Sequence, residues 1–274
     1  MGKTITFIGA GNMTRALISG LVQDNTTLNI RICDPNESQR QFITQTWDSV
    51  TAFSDNASAI DSADIIVFAT KPQIMQLVCE TFTKDMQALD NNNKPLLISI
   101  AAGVTISNIN TWLGSNYAIV RCMPNTPALV QSGMTGLVAN EETNEEQRNL
   151  AESILRSVGN TLWFEDEAKL DAVTAVSGSG PAYFFLVMEA MQASAQKLGL
   201  DEKDARLLVL QTAFGAAKLA LESEDDAATL RQRVTSKGGT TEAALNALIE
   251  GGLPDLFETA LSAARDRSIE LSKG

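Results

Sequence analysis

The sequence predicts an α/β protein: a doubly wound parallel sheet over residues 1–164, followed by an all-helical region over 165–274. Three observations carry this. Apolar strand-like runs alternate with helical stretches through the first half, and alternating β and α elements build a parallel sheet. A glycine-rich turn joins the first strand to the first helix. After Phe164 the strand signal fades, and Gly and Pro punctuate long helical segments.

Taken in order, Ile5 to Ile8 is an apolar strand and Asn12 to Val22 a helix. Leu28, Ile30 and Ile32 alternate with polar neighbours, and a polar helix follows from about Asn36 to Thr46. Ile65-Ile66-Val67-Phe68-Ala69 is apolar without interruption, as expected for a parallel strand covered on both faces. Leu96 to Ile100 and Ala118 to Cys122 repeat that pattern. Beyond Glu165, Ala205 to Leu221 holds 12 hydrophobic residues in 17. A helix apolar nearly all round must be buried nearly all round. In a region of 110 residues that points to burial against a second subunit, with a central core helix of one subunit as the alternative.

Composition narrows the function. The 274 residues are 44% hydrophobic and 20% charged, as in globular proteins with a sizeable core. Against 33 Asp and Glu stand 21 Lys and Arg, a net charge of −12, which argues against nucleic acid or an anionic membrane as partner. Histidine is absent, which removes imidazole bases, Ser-His-Asp triads and histidine metal sites. Cys33, Cys79 and Cys122 are widely spaced and match neither a zinc site nor a disulfide framework, so no metal and a reducing, cytoplasmic setting are expected. No apolar run in the sequence approaches the roughly 20 residues that span a bilayer.

The turn Gly9-Ala10-Gly11-Asn12-Met13-Thr14 points to a dinucleotide. Gly9 permits the tight turn, and Gly11 lets main-chain N–H groups approach a pyrophosphate at the helix N-terminus. Thr14 stands where the fingerprint has its third glycine. Asp34 ends the second strand, where an acid usually accepts from the ribose 2′-hydroxyl, which favours NAD over NADP. Asp34 could equally belong to the capping of the next helix, and Asn36 or Arg40 could receive a 2′-phosphate. The choice between NADPH and NADH stays open at this point. Lys71, the one charge in Ala69-Thr70-Lys71-Pro72, reads as a positioning group or a surface lysine.

Those four residues, with Ser99-Ile100-Ala101-Ala102-Gly103-Val104, Arg121-Cys122-Met123-Pro124-Asn125-Thr126-Pro127, Val176-Ser177-Gly178-Ser179-Gly180-Pro181-Ala182-Tyr183 and Ser236-Lys237-Gly238-Gly239-Thr240-Thr241, closely resemble the pyrroline-5-carboxylate reductase family over essentially the whole chain. The resemblance implies an N-terminal Rossmann domain and a helical domain that interlocks with a partner's in a homodimer, often assembled into a decamer. It also implies reduction of 1-pyrroline-5-carboxylate to L-proline, the last step of proline biosynthesis, by NADPH or NADH. It places dinucleotide contacts on Gly9, Ala10, Gly11, Asn12, Met13, Asp34, Asn56, Ala69, Thr70, Lys71, Pro72, Ala101 and Ala102. Substrate contacts fall on Glu224, Ser236, Gly238, Gly239, Thr240 and Thr241, with the Thr241 hydroxyl on the ring nitrogen. The family usually has proline where Lys237 stands, which raises the question of that loop's stiffness.

The chemistry agrees with the resemblance. A helix opening at Gly238-Gly239-Thr240-Thr241 offers unpaired N–H groups and a favourable dipole to a carboxylate without a basic side chain. An ordinary threonine-capped helix start has the same appearance. A protonated imine needs no histidine, because hydride delivery to it is mainly a matter of proximity. A β-hydroxyacid dehydrogenase would share the architecture but would place a lysine four residues beyond Gly180, where Phe184 stands. A non-catalytic dinucleotide sensor would not need the Gly238–Thr241 site.

Overall fold

The computed structural model describes residues 2–24, 27–88, 94–114 and 116–272. The first half follows the alternation of the sequence: β1 (Thr4–Ile8), α1 (Asn12–Gln23), β2 (Asn29–Cys33), α2 (Glu37–Thr46), β3 (Thr51–Phe53), α3 (Asn56–Ile60), β4 (Ile65–Phe68), α4 (Met75–Ala88), β5 (Leu96–Ser99), α5 (Ile106–Leu113) and β6 (Ile119–Met123). Then come β7 (Gly133–Ala139), α6 (Glu145–Arg156) and β8 (Gly159–Trp163). The eight strands lie in the order β3-β2-β1-β4-β5-β6-β7-β8. All neighbours are parallel except β6 and β7, which run antiparallel, so the sheet is mostly rather than wholly parallel. The chain reaches β7 from β6 through a short connection at Thr126–Val130, too brief for the crossover a parallel pair requires.

β1 and β4 are buried at every position, because helices cover both faces of the sheet. One core cluster gathers Phe7, Leu17, Ile32 and Val67, and a second gathers Phe68, Met75, Phe82 and Ile119. The three thiols are buried and unpaired. Burial pushes those of Cys33 and Cys79 up to about 12, so both stay neutral and unreactive at neutral pH.

The remaining elements are α7 (Lys169–Val173), a π-helical turn at Thr174–Gly178, α8 (Gly180–Lys197), α9 (Glu202–Glu222), α10 (Ala227–Arg233), α11 (Thr240–Glu250) and α12 (Leu253–Ser272). The chain divides into two compact units. The first comprises residues up to Ser179 together with the last turns of α12 from Ala264, and the second is Gly180–Ala263. The boundary drawn from the sequence at 164/165 lies earlier than this division. The stretch Lys169–Lys197 is helical throughout, with a mean hydropathy of 1.2 over 18 residues, and by length and composition alone it could cross a membrane. That amends the sequence expectation: Gly and Ser interrupt the apolar run, but the helix continues through them.

Within α9 only Ala205 and Val209 are buried, and Leu207, Leu208, Phe214, Leu219 and Leu221 are more than half exposed. A central core helix is not what the second unit shows: among its described residues this surface of α9 is left uncovered. Phe184, Phe185 and Leu186 of α8 are exposed in the same way. An apolar surface this large marks an interface. Leu208→Glu should therefore convert a self-associated species into monomers in sedimentation, since a charge placed in a dry interface costs several kcal/mol, on the order of 2–7.

Candidate functional site

The β1–α1 turn is built from close main-chain approaches. Gly9 has φ +105°, and a Cβ there would stand 2.6 Å from the carbonyl oxygen of Ala69. Both facts demand glycine. The Gly9 N–H donates to the Cys33 carbonyl at 2.8 Å, and Ala69 N–H to the Ile8 carbonyl at 2.9 Å, so the ends of β1, β2 and β4 are stitched together. Thr14 explains the departure from the glycine fingerprint: it is fully buried, and its hydroxyl donates to the Gly9 carbonyl at 2.7 Å, closing the turn. Gly11 caps α1 without a side chain and faces open space. The first-turn N–H groups of Asn12 and Met13 therefore keep their capacity for an anion.

A cavity of about 550 Å³ opens beside this turn. It brings together Gly9, Ala10, Gly11, Asp34, Asn56, Ala69, Thr70 and Lys71, each singled out from the sequence. Asn12, Met13, Pro72, Ala101 and Ala102 do not line it: Pro72 opens the short turn after Lys71, and Ala101 is buried after β5. Sequence reasoning missed Pro35, Ser54, Asp55, Ile74, Leu77 and Val78, which complete the wall. The half-exposed Ile74 and the more exposed Leu77 form an apolar patch there. The signal available was apolar residues at the exposed start of an otherwise amphipathic helix. A second cavity, about 350 Å³, is lined by Met134, Leu162, Phe164, Val173 and other mostly apolar groups and lacks convergent polar atoms.

Asp34 lines the cavity with a carboxylate already engaged by two main-chain donors. Oδ2 accepts the Ala10 N–H at 2.9 Å, and Oδ1 accepts the Asn36 N–H at 2.8 Å. Capping of α2 falls instead to Asn36, whose side chain accepts from the Ser38 N–H at 3.0 Å. Arg40 reaches back so that Nη1 donates to the carbonyls of Asp34 at 2.7 Å and Pro35 at 2.9 Å. Both Nη1 hydrogens are used, and Arg40 is not among the residues that line the cavity. Asp55 caps α3 by accepting the Ser58 N–H at 2.8 Å, which holds its carboxyl below the usual range. Lys71 is exposed at the rim.

Two sequence motifs turn out to serve packing. Asn125 donates from Nδ2 to the Ser177 carbonyl at 3.0 Å and accepts the Met134 N–H on Oδ1 at 2.9 Å. It thereby joins β7 to the π-helical turn, where hydrogen bonding is out of step with an α-helix. A Cβ on Gly178 would collide with Met123 at 2.6 Å.

In the second unit, Ser236–Gly239 is a turn closed by the Gly239 N–H on the Ser236 carbonyl at 3.0 Å, with Gly238 at φ +75°. Such a turn favours proline at its second position and glycine at its third. Lys237 fills the second position, and the turn forms without the φ constraint a proline would add. Gly239 caps α11 with no side-chain bond, while Glu242 folds back to accept the Gly238 N–H at 2.7 Å. The N–H groups of Thr240 and Thr241 begin the helix uncapped. Glu224 is exposed in the loop after α9, next to Asp225, which is paired with Arg233.

The chain is similar to known proteins along nearly its whole length. Residues 167–271 match the family model for pyrroline-5-carboxylate reductase dimerisation, and residues 4–103 that for NADP oxidoreductase, coenzyme F420-dependent. The pyrroline-5-carboxylate reductase of Pseudomonas aeruginosa is 48% identical over 98% of this chain and 97% of its own. The solved pyrroline-5-carboxylate reductase of Coxiella burnetii superposes with TM-score 0.92 at 43% identity, covering all of both chains. That of Plasmodium falciparum, solved with NADP bound, superposes with TM-score 0.85 at 28% identity over 98% of each.

Asp34→Ala frees two main-chain donors at once. It should lower unfolding stability in denaturant titration by about 1–3 kcal/mol and weaken NADPH and NADH alike, leaving their ratio nearly unchanged. A large gain in the NADPH/NADH ratio would show the carboxylate facing the ribose instead.

Proposed function

The chain belongs to the pyrroline-5-carboxylate reductase family and is an NAD(P)H-dependent oxidoreductase; from that premise we propose that it reduces 1-pyrroline-5-carboxylate to L-proline with NADPH favoured over NADH. The observation that carries the substrate assignment is the similarity to named reductases along nearly the whole chain. Support for NADPH comes from the Arg40 guanidinium, held against the Asp34 and Pro35 carbonyls beside the cavity. The match to an NADP oxidoreductase model agrees with it.

The cavity suits such a dinucleotide. The pyrophosphate belongs at the uncapped start of α1 over Gly11, where dipole and N–H groups favour an anion. The adenosine belongs between Asp34, Asn56 and the apolar wall of Ile74 and Leu77. Ala69, Thr70, Lys71 and Pro72, with Ala101 and Ala102, follow strands β4 and β5 and belong to the nicotinamide half. The nicotinamide, when bound, supplies the hydride. This chain's own residues then hold and orient the imine. The α11 start at Gly238, Gly239 and Thr240, beside Ser236, anchors the substrate carboxylate. Thr241 hydrogen-bonds the ring nitrogen, and Glu224 favours its positive charge. No acid–base side chain is required of an imine that arrives protonated.

The protein is a homo-oligomer, and the exposed apolar faces of α8 and α9 support a dimer as the unit, five of which could form a decamer. The same need accounts for the apolar character of Lys169–Lys197 without a membrane, since that stretch falls within the dimerisation match. Buried, unpaired thiols suit a reducing cytoplasm.

Purified protein mixed with 1-pyrroline-5-carboxylate and NADPH should oxidise the cofactor, read as loss of absorbance, and NADH should serve less well. No turnover with either would end the assignment. Arg40→Ala should weaken 2′,5′-ADP roughly tenfold while leaving 5′-AMP unchanged, as expected for one charge-assisted contact of about 1.4 kcal/mol. Thr241→Val should cost about 1.5–3 kcal/mol, one to two decades in kcat/KM, with Thr241→Ser retaining most activity. Full activity in Thr241→Val would leave the α11 start as a carboxylate anchor only.

A further inference from the structure

The segment 100–105 that follows β5 has few bonds of its own. The Ile100 N–H donates to the Phe68 carbonyl at 3.1 Å, just before Ala69, and the Ala101 N–H to Ser99 Oγ at 3.4 Å. Both hold only its first residues, at the carboxyl end of the sheet. Within it the Val104 N–H donates to the Ala101 carbonyl at 3.4 Å, and Thr105 at its far end caps α5 in a reciprocal box with Asn108. The helix start just beyond is also held from another element. Glu167 Oε1 accepts the Ile106 N–H at 2.9 Å, and the same oxygen accepts Arg121 Nη1 at 2.7 Å. Arg121 is 5% exposed, so this is a largely buried ion pair. The tip is held by the last turn of α12: a Cβ on Gly103 would stand 3.1 Å from that of Leu271. That turn is itself tied down by Ser268, 3% exposed, whose hydroxyl donates to Asp171 Oδ1 at 2.7 Å. Glu167 and Leu271 are the first and last residues matched by the dimerisation model.

We propose that Glu167 and the Leu271 turn are positioning residues that hold segment 100–105, and with it Ala101 and Ala102, in place for the nicotinamide half of the cofactor. The inference rests on the cofactor reading above. Removing Glu167 leaves a buried guanidinium without its counter-charge and the Ile106 N–H without an acceptor, so the surrounding chain must move. The adenosine half is bound on the other side of β1, at Asp34 and Asn56, by residues that none of these contacts restrains. Glu167 and Leu271 both lie at the ends of the span matched by the dimerisation model.

The test compares two ligands on the full-length oligomer by calorimetry. NADP⁺ spans both halves of the site, and 2′,5′-ADP fills only the adenosine half. Glu167→Ala should weaken NADP⁺ roughly tenfold, the scale of one lost charge-assisted contact, and leave 2′,5′-ADP within about twofold. Glu167→Gln keeps an acceptor for Ile106 and should restore most of the NADP⁺ affinity. Gly103→Ala pushes the same segment from the opposite side and should reproduce the selective loss, which keeps the test open if Glu167→Ala misfolds. Equal loss of both ligands would reveal a general structural role and overturn the proposal, as would unchanged NADP⁺ binding in the variants. Parent protein that binds neither ligand would overturn the cofactor reading, and this inference with it.

Discussion

The first unit depends on the place where its winding reverses. β1 is central, β2 and β3 lie to one side of it and β4 to β6 to the other. Connections leaving the carboxyl ends of β1 and β4 therefore go to opposite sides, and a crevice must open between them. The 550 Å³ cavity occupies that crevice. Gly9 sets its depth, because only a residue without Cβ lets the β1–α1 turn lie against the Ala69 carbonyl. The Thr14 hydroxyl then gives the turn a rigidity that a third glycine would not.

Electrostatics at the edge of the crevice runs against the usual reading of an acid after the second strand. The sequence-based expectation that Asp34 favours NAD assumed a carboxylate open to a ribose. In the fold, its two oxygens receive two main-chain N–H groups, which disperse the charge and join the glycine turn to the start of α2. Arg40, one turn into α2, brings a guanidinium to the same corner. Acid and base both brace the turn between β2 and α2.

The second unit is incomplete alone. Leu207, Leu208, Phe214 and Leu221 on α9, with Phe184 and Leu186 on α8, expose apolar area that water would not tolerate on a free monomer. The ends of the dimerisation segment return to the first unit at Glu167 and Leu271, where they meet the chain that follows β5.

The sequence by itself determined the alternation of strands and helices, the glycine turn, the all-apolar α9 and the reductase motifs, because periodicity and turn chemistry act over a few residues. It left β3, β7 and β8 unseen: three residues at Thr51–Phe53 carry little pattern, and β8 alternates only weakly at an edge. Asp55, Ile74 and Leu77 escaped for the same reason, since they become a wall only once the chain after β3 and the start of α4 gather round the β1–α1 turn. The Asp34 bond to Asn36 and the Arg40 bonds to Asp34 and Pro35 are local, spanning two to six residues, and Asx-turn chemistry could have suggested the first. Tertiary structure alone decided that Asp34 accepts the Ala10 N–H and that Glu167 binds both Arg121 and the Ile106 N–H. Ala10 lies 24 residues from Asp34, Arg121 and Ile106 lie 46 and 61 residues from Glu167, and no local rule reads a hydrogen bond across such gaps.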